Sequence, residues 1–330
     1  MKGLKVFLAL LMLGVLTLQS WTYSEFVTVG PGTARPAAEL GSIAGVPPSE
    51  GRLLYTAVVA RRAGVVDGLR SIFDRRVRLV PVRERIPPGI GWSQYSRMLG
   101  RAMAESQKVA AAVAFREAGY RVLARTSVVV EAALPGSGLA ERVPEGSRLT
   151  SVDGVAVATK EEAYELLRSA GGRGTARLVI EPPGGNGEIA LEAGGEFAAG
   201  PGKHPFGLVL TTVHSFEYPM SFEAGKAGAA GSSAGLMLAL ELYDRLTGGG
   251  LAGSLRVAGT GGLRLDGAVE AVDAVALKVA AAKEAGAKAF VLPRENLQDA
   301  LAEAEGIVLV PVGTFAEAVE ALRWLAAGED

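Results

Sequence analysis

The chain has 330 residues, and 49% of them are hydrophobic, enough for more than one full core. Its 34 basic residues stand against 35 acidic ones, so the net charge of −1 gives no electrostatic reason to expect nucleic acid or an acidic substrate. There is no cysteine, which excludes disulfides, thiol catalysis and thiolate metal sites together.

The first feature in chain order is apolar. Lys2 and Lys5 precede the run Val6 to Leu18, and Trp21 and Tyr23 follow it. No charge falls between Val6 and Tyr23, and as a helix that stretch would extend about 27 Å, close to the thickness of a bilayer's hydrocarbon core. Basic residues before the run and none soon after it keep the start cytoplasmic, while Trp21 and Tyr23 suit the outer interface. With no clear Ala-x-Ala site, the pattern favours an uncleaved anchor over residues 1–24 rather than a cleaved signal peptide. Either way, the rest of the chain is expected outside the cytoplasm, on a single-pass protein of the cell membrane.

Residues 25–117 read as an N-terminal αβ segment without evident chemistry. Gly30-Pro31-Gly32 and Pro47-Pro48 are turn signals. Leu53–Val59 and Val77–Val82 have strand character. Ser93–Ala118 has helical spacing, with Met98, Met103, Val109 and Val113 among its apolar positions.

A second pattern occupies residues 118–195. The strand-like Val128-Val129-Val130 runs into Leu134-Pro135-Gly136-Ser137, and Pro144-Glu145-Gly146 leads to a further strand at Leu149. Asp153-Gly154 makes a tight hairpin turn, Thr159 and Glu162 form a capping box for a helix over Lys160–Ser169, and Thr175–Glu181 is a closing strand ended by Pro182-Pro183-Gly184-Gly185. This order resembles a PDZ domain, with Ser147 where that family usually has an aspartate. The resemblance implies uptake of a peptide as an added strand, its carboxylate held by backbone N–H groups of a loop at Gly119, Tyr120, Arg121 and Val122. The alternative is a small αβ packing module with no ligand. His204 and His214, the chain's two histidines, lack the spacing of a metal site.

The last region carries the chemistry. Gly231-Ser232-Ser233-Ala234-Gly235-Leu236 is a small-residue turn that puts serines where a helix begins, next to backbone N–H groups with no partner inside that helix. The helix that follows is apolar on most sides (Leu236, Met237, Leu238, Leu240, Leu242, Tyr243, Leu246), with Glu241 and Arg245 pairing on its one wet face and Gly248-Gly249-Gly250 ending it. Lys278 has apolar neighbours three and four positions away, but so does Lys283, and periodicity does not separate them. A lysine working as a base near neutrality needs its pKa brought down from ~10.4, about 4 kcal/mol of preference for the neutral amine, which burial can supply. Asp273 is a candidate cap for this helix and Gly286 its closing residue. Lys288–Leu292 and Ile307–Val312 read as short buried strands around a helix over Glu295–Ala304, and Thr314 to Glu317 is a capping box for the final helix.

Four segments in order, Gly231–Leu236, Val257–Gly261, Asp266–Ala282 and Gly286–Asn296, resemble the proteolytic domain of Lon-type serine proteases, covering residues 203–326. The resemblance implies a Ser-Lys dyad, with Ser233 as nucleophile, Lys278 as general base and Thr260 orienting the lysine. Ser232 stands where the family has proline and Ala230 where it often has an acid. Two adjacent hydroxyls are therefore candidates; alignment selects Ser233, and Ser232 reads as the helix N-cap. Ala234 completes the turn whose N–H groups would hold an oxyanion. No Gly-x-x-x-x-Gly-Lys-Ser/Thr loop occurs, so cleavage is expected without ATP, on unfolded or exposed polypeptide. No cofactor is implied, and the resemblance implies a homo-oligomeric, hexameric ring. The expected fold is α/β (α+β) and multidomain. A membrane-tethered PDZ adaptor with a non-catalytic protease-like domain is the alternative function. A signal-peptidase-like Ser-Lys enzyme is weaker, because it would not predict the Pro293-Arg294-Glu295-Asn296 turn.

Overall fold

The computed structural model describes residues 25–74, 76–87, 89–185, 187–194, 204–225 and 231–328, together with 6–7, 10, 12–14 and 17. It is a mixed α/β structure of two compact units. One consists of Met1–Pro87, Leu99–Arg121 and Tyr218–Asp330, the other of Pro88–Met98 and Val122–Glu217. Most of the expected anchor, and Ala230, lie outside the described residues. Among the described residues, no helix is long and apolar enough to cross a membrane.

The first unit begins with strands β1 (Phe26–Pro36), β2 (Gly41–Ile43) and β3 (Leu53–Arg62), then helix α1 (Val65–Phe73), strand β4 (Arg78–Pro81) and, from Leu99 on, the long helix α2 (Trp92–Glu117). Gly30-Pro31-Gly32 is not the turn its composition suggests. It lies inside β1, where the register with β3 shifts between Pro31 and Ala34. Gly32 passes so close to the Ala57 carbonyl that a Cβ there would overlap it, which makes glycine the residue for this irregularity.

The second unit holds β5 (Leu123–Ala133), β6 (Arg148–Val152), β7 (Val155–Ala156), helix α3 (Lys160–Gly171), β8 (Thr175–Glu181), β9 (Ile189–Gly194) and β10 (Leu208–Glu217). Its antiparallel sheet runs β10-β5-β6-β8-β9, with β7 paired to β6. Alternate residues of these strands (Val128, Val130, Leu149, Leu178, Ile180, Leu208) meet Ala163 and Leu167 of α3 in one core. The Thr159–Glu162 capping box forms as expected. The second unit also takes in β10, which the sequence places within the 203–326 region.

The chain then returns to the first unit through β11 (Phe222–Ala224), α4 (Gly235–Leu246), β12 (Val257–Gly259), β13 (Gly262–Leu263), β14 (Val269–Glu270), α5 (Val275–Glu284), β15 (Ala289–Pro293), β16 (Val308–Val312) and α6 (Phe315–Ala327). The main sheet has the order β16-β15-β12-β3-β1-β4. The strands β3, β12, β15 and β16 are parallel neighbours, while β1 is antiparallel to both β3 and β4. Residues 25–117 are thus not a separate segment: β12 pairs directly with β3 at Val257↔Leu53 and Gly259↔Tyr55. The physical reason is that β12 and β15 need cover and pairing on both sides. All five residues of β15 are buried, and Leu53–Thr56 of β3 are buried in succession, as expected of strands packed on both faces.

Successive residues of β12 show the two layers. Ala258 joins the core made with Val275, Val279 and Ala282 of α5, whereas a Cβ on the next residue, Gly259, would stand 2.5 Å from Met237 Sδ of α4. The two helices named for chemistry therefore flank one strand. The segment expected as one helix over Glu295–Ala304 is instead a short α-helical turn, Leu297–Ala300, between two 3₁₀ turns. β16 is an edge strand and only partly buried.

Candidate active site

The serine turn is held from two sides. On one, Gly261 N–H donates to Ser233 O (2.8 Å) and Leu236 N–H donates to Gly261 O (3.2 Å), a reciprocal pair joining the start of α4 to the end of β12. A Cβ on Gly261 would lie 3.0 Å from Leu236 Cδ2, so the close approach depends on glycine. On the other side, Gly231 N–H donates to Leu99 O (3.1 Å) and the Ser106 hydroxyl donates to Ser232 O (3.1 Å), both from α2. The sequence reading missed this contribution of α2. Its signal is the polar pair Ser106-Gln107, buried in an alanine-rich helix. Gln107 also donates to Leu40 O and Gly225 O, fixing the chain just ahead of the turn.

Ser232 is not the helix N-cap. That position belongs to Ala234, which makes no side-chain capping bond, and Ser232 is exposed whereas Ser233 is half-buried. The helix start needs no hydroxyl cap because backbone carbonyls take over: Gly235 N–H bonds Ser232 O and Leu236 N–H bonds Gly261 O. Among the described residues, the N–H groups of Ser233 and Ala234 donate no backbone hydrogen bond.

Lys278 is 2% exposed in the first turn of α5. Its Nζ donates to Thr260 Oγ1 at 2.9 Å, and Thr260 Oγ1 donates to Ser233 O at 3.0 Å. Thr260 is itself fully buried, its N–H bonded to Val291 O of β15. A threonine hydroxyl has one hydrogen. Here it goes to Ser233 O, so the oxygen's lone pairs are left for the lysine. The structure thus joins Lys278 to the serine turn through Thr260, not by a direct bond between Nζ and the Ser233 hydroxyl. Burial is the chief cause that brings the Lys278 pKa down from 10.5 to about 8; Asp273 opposes it and Arg85 adds to it. Lys283, left open by periodicity, is half-exposed and donates to Glu303 O at 3.1 Å, away from the turn.

The lysine helix starts differently from expectation. Its N-cap is Ala274, in a left-handed conformation at φ 57°, and Asp273 instead makes an exposed ion pair with Arg85 at 3.6 Å. Its end is as expected. Gly286 N–H bonds Lys283 O and Ala287 N–H bonds Ala282 O, with Gly286 at φ 76°. Glu241 and Arg245 do pair, at 2.8 Å, but with side chains 0% and 4% exposed, on no wet face. The loop around Ser49 covers them, and Ser49 donates to the same carboxylate oxygen that Arg245 does.

The proposed carboxylate loop, Gly119 to Val122, is already in use. Gly119 N–H donates to Arg116 O and Tyr120 N–H to Phe115 O, the two bonds that close α2. Val122 is buried. In the second unit β10 and β9 are the two outer strands among the described residues, and the β10 edge is met by Tyr164 of α3. The Tyr164 hydroxyl accepts from Leu210 N–H at 2.8 Å and donates to Leu208 O at 3.3 Å. His204 lies 3.4 Å from the same hydroxyl, and His214 stacks on Phe216.

Residues 213–309, which include Ser233, Thr260 and Lys278, match the model of the Lon protease (S16) C-terminal proteolytic domain. The chain is also similar to Lon protease 2 of Bacillus subtilis (strain 168), 41% identical over 64 residues. That match covers 19% of this chain and 12% of the relative's length.

Proposed function

We propose that the chain is a serine endopeptidase in which Ser233 attacks a peptide carbonyl and Lys278 is the general base. The observation that carries this is the buried Lys278 amine bonded to Thr260 Oγ1, itself bonded to the Ser233 carbonyl. A neutral amine keeps one lone pair, and with one N–H committed to Thr260 that lone pair is free to receive the Ser233 proton. The N–H groups of Ser233 and Ala234 stabilise the oxyanion; the Lys278 ammonium passes its proton to the amine nitrogen as the peptide C–N bond breaks, and the neutral lysine then takes a proton from the water that hydrolyses the acyl-enzyme and returns it to Ser233. Substrates are unfolded or exposed polypeptide segments, cut without ATP at the outer face of the membrane to which residues 1–24 tether the chain. Assembly is a homo-oligomeric ring, as in the family it resembles.

The second unit acts as a PDZ-like peptide-binding module that adds a strand to the β10 edge. What supports this edge over the 119–122 loop is that Leu208 O and Leu210 N–H turn away from β5 and are met only by one tyrosine hydroxyl. If the protease-like unit were inert, this module alone would make the chain a tethered adaptor. Ser233→Ala and a fluorophosphonate probe separate the readings. The proposal expects the wild-type chain to cut casein and label at Ser233, and the variant to fold normally and do neither. Retained cleavage by Ser233→Ala moves the nucleophile to Ser232, and a wild-type chain that neither labels nor cleaves leaves the adaptor.

A further inference from the structure

Helix α1 is inside out. Asp67, at 2% exposure, is buried with Gly68, while Val66, Leu69, Ile72 and Phe73 are 62%, 56%, 72% and 86% exposed. The inward face is polar by design: Asp67 pairs with Arg61 and accepts the Gly64 N–H at 2.8 Å. A helix with its apolar arc in water has left that arc for something other than its own core.

Two observations say what covers it. The first is charge. Arg62 and Arg70, both exposed, lie three residues before the helix and on it, and the helix's own acid, Asp67, is turned inward; beyond its other end Arg76 pairs with Asp74 and Glu284. The second is continuity with the N-terminal apolar run. The chain leaves that run and enters β1 at Phe26, whose carbonyl accepts the Ala63 N–H at 2.9 Å, while Glu25 O accepts the Val82 N–H at 2.8 Å. Ala63 is two residues before α1, so the entry point of the N-terminal run and the exposed helix share one end of the first unit. The described residues of that run are helical, and Val6, Phe7, Leu10, Met12 and Leu13 are 58–66% exposed.

We propose that the Val66-Leu69-Ile72-Phe73 face of α1 lies in the interface of an anionic lipid bilayer, with the flanking arginines at the headgroups. Apolar face, basic flanks and attachment beside a membrane-seeking segment are the features of an interfacial helix. The proposal rests on the reading of residues 1–24 as an anchor. It adds to that reading a fixed orientation: a second contact prevents the first unit from swinging on its tether, so the β1–β4 edge of the sheet faces the lipid and the β16 edge is far from it.

The test uses the full chain, in which a cysteine introduced as Ile72→Cys is the sole one. It is labelled with an environment-sensitive dye and reconstituted into phosphatidylcholine vesicles with and without phosphatidylglycerol. The control is Val308→Cys, 53% exposed on the opposite edge strand. The expected result is a several-fold loss of iodide quenching at position 72 in phosphatidylglycerol vesicles, with quenching gained from spin-labelled lipid, and neither change at position 308. Position 72 remaining as open to iodide as position 308, on a chain that floats with the vesicles, would overturn the helix assignment while the anchor stands. A chain that does not float removes both. Protection in detergent that grows with protein concentration would give the face to a second copy and also overturn the proposal.

Discussion

Replacing Lys278 by Met should stabilise the protein at neutral pH while abolishing hydrolysis. The amine's pKa falls from 10.5 to about 8 because the folded chain buries it. At roughly 1.4 kcal/mol per pH unit, that displacement amounts to about 3 kcal/mol. The sign follows from proton counts. Between about pH 8 and 10.5 the unfolded chain binds the proton and the folded chain does not, so stability rises with pH across that window and is lost as pH falls through about 8. Below it both states carry the charge, and the folded state bears the whole penalty. Methionine has similar length and no charge, and it forfeits only the bond to Thr260, worth about 1 kcal/mol. The net expectation near pH 7 is a gain of about 2 kcal/mol, a rise of roughly 4–8 °C in Tm for a unit of this size. Well above pH 10.5, the wild-type amine is neutral in both states, and the variant should be slightly the less stable. Urea unfolding followed by circular dichroism, run on both proteins at both pH values, reads the difference with all other titrations cancelled. A difference that does not change with pH, or a variant weaker than wild type near pH 7, would mean that the lysine is charged at no cost. It would then be no base at neutrality.

Other outcomes follow from the same geometry. Wild-type kcat/KM on an unfolded substrate should rise with pH through an apparent pKa near 8, the point at which Lys278 loses its proton; a flat profile from about pH 6 to 10 would contradict its role. Thr260→Val removes the acceptor for Lys278 and the donor to Ser233 O, so activity should fall by about 100-fold or more, with Thr260→Ser restoring most of it. Arg245→Met leaves the buried Glu241 carboxylate without its counter-charge, held only by Ser49 and with no partner for Oε2 among the described residues, and should cost about 3–5 kcal/mol, whereas Glu241→Leu with Arg245→Met should be near neutral; additive losses in that double-mutant cycle would refute the pairing. Tyr164→Phe frees Leu208 O and Leu210 N–H, so peptides with a free carboxylate should bind the second unit more tightly by calorimetry; unchanged affinity places peptide uptake elsewhere.

What the sequence could reveal divides along one physical line. Features written in consecutive residues were legible: the Thr159–Glu162 box, the glycine close of the lysine helix at Gly286, and the strand at Ala289–Pro293. Features made by strangers in sequence were not. Ser106 braces the serine turn across 126 positions, and Thr56 donates to the Gly259 carbonyl across 203. Nothing local marks either contact, so residues 25–117 read as a region apart when they supply β3, the neighbour of the site's own strand. The same limit misplaced the caps. Ser232 and Asp273 are good capping types in the right places, but propensity describes an isolated helix end, and here the ends are satisfied from outside, by carbonyls of the β12 loop and by a left-handed Ala274. That failure is informative about the site. A helix start fixed by a neighbouring strand transmits that strand's position to the proposed nucleophile, so Ser233 is set by the sheet and by α2 rather than by a side-chain cap of its own. Substitution of Gly259 tests the dependence. An added Cβ would stand 2.7 Å from Val291 O, a backbone atom that cannot yield without parting β12 from β15. Gly259→Ala should therefore displace Thr260 and lose activity together with stability. A variant that keeps its fold and its rate would show that the turn holds itself.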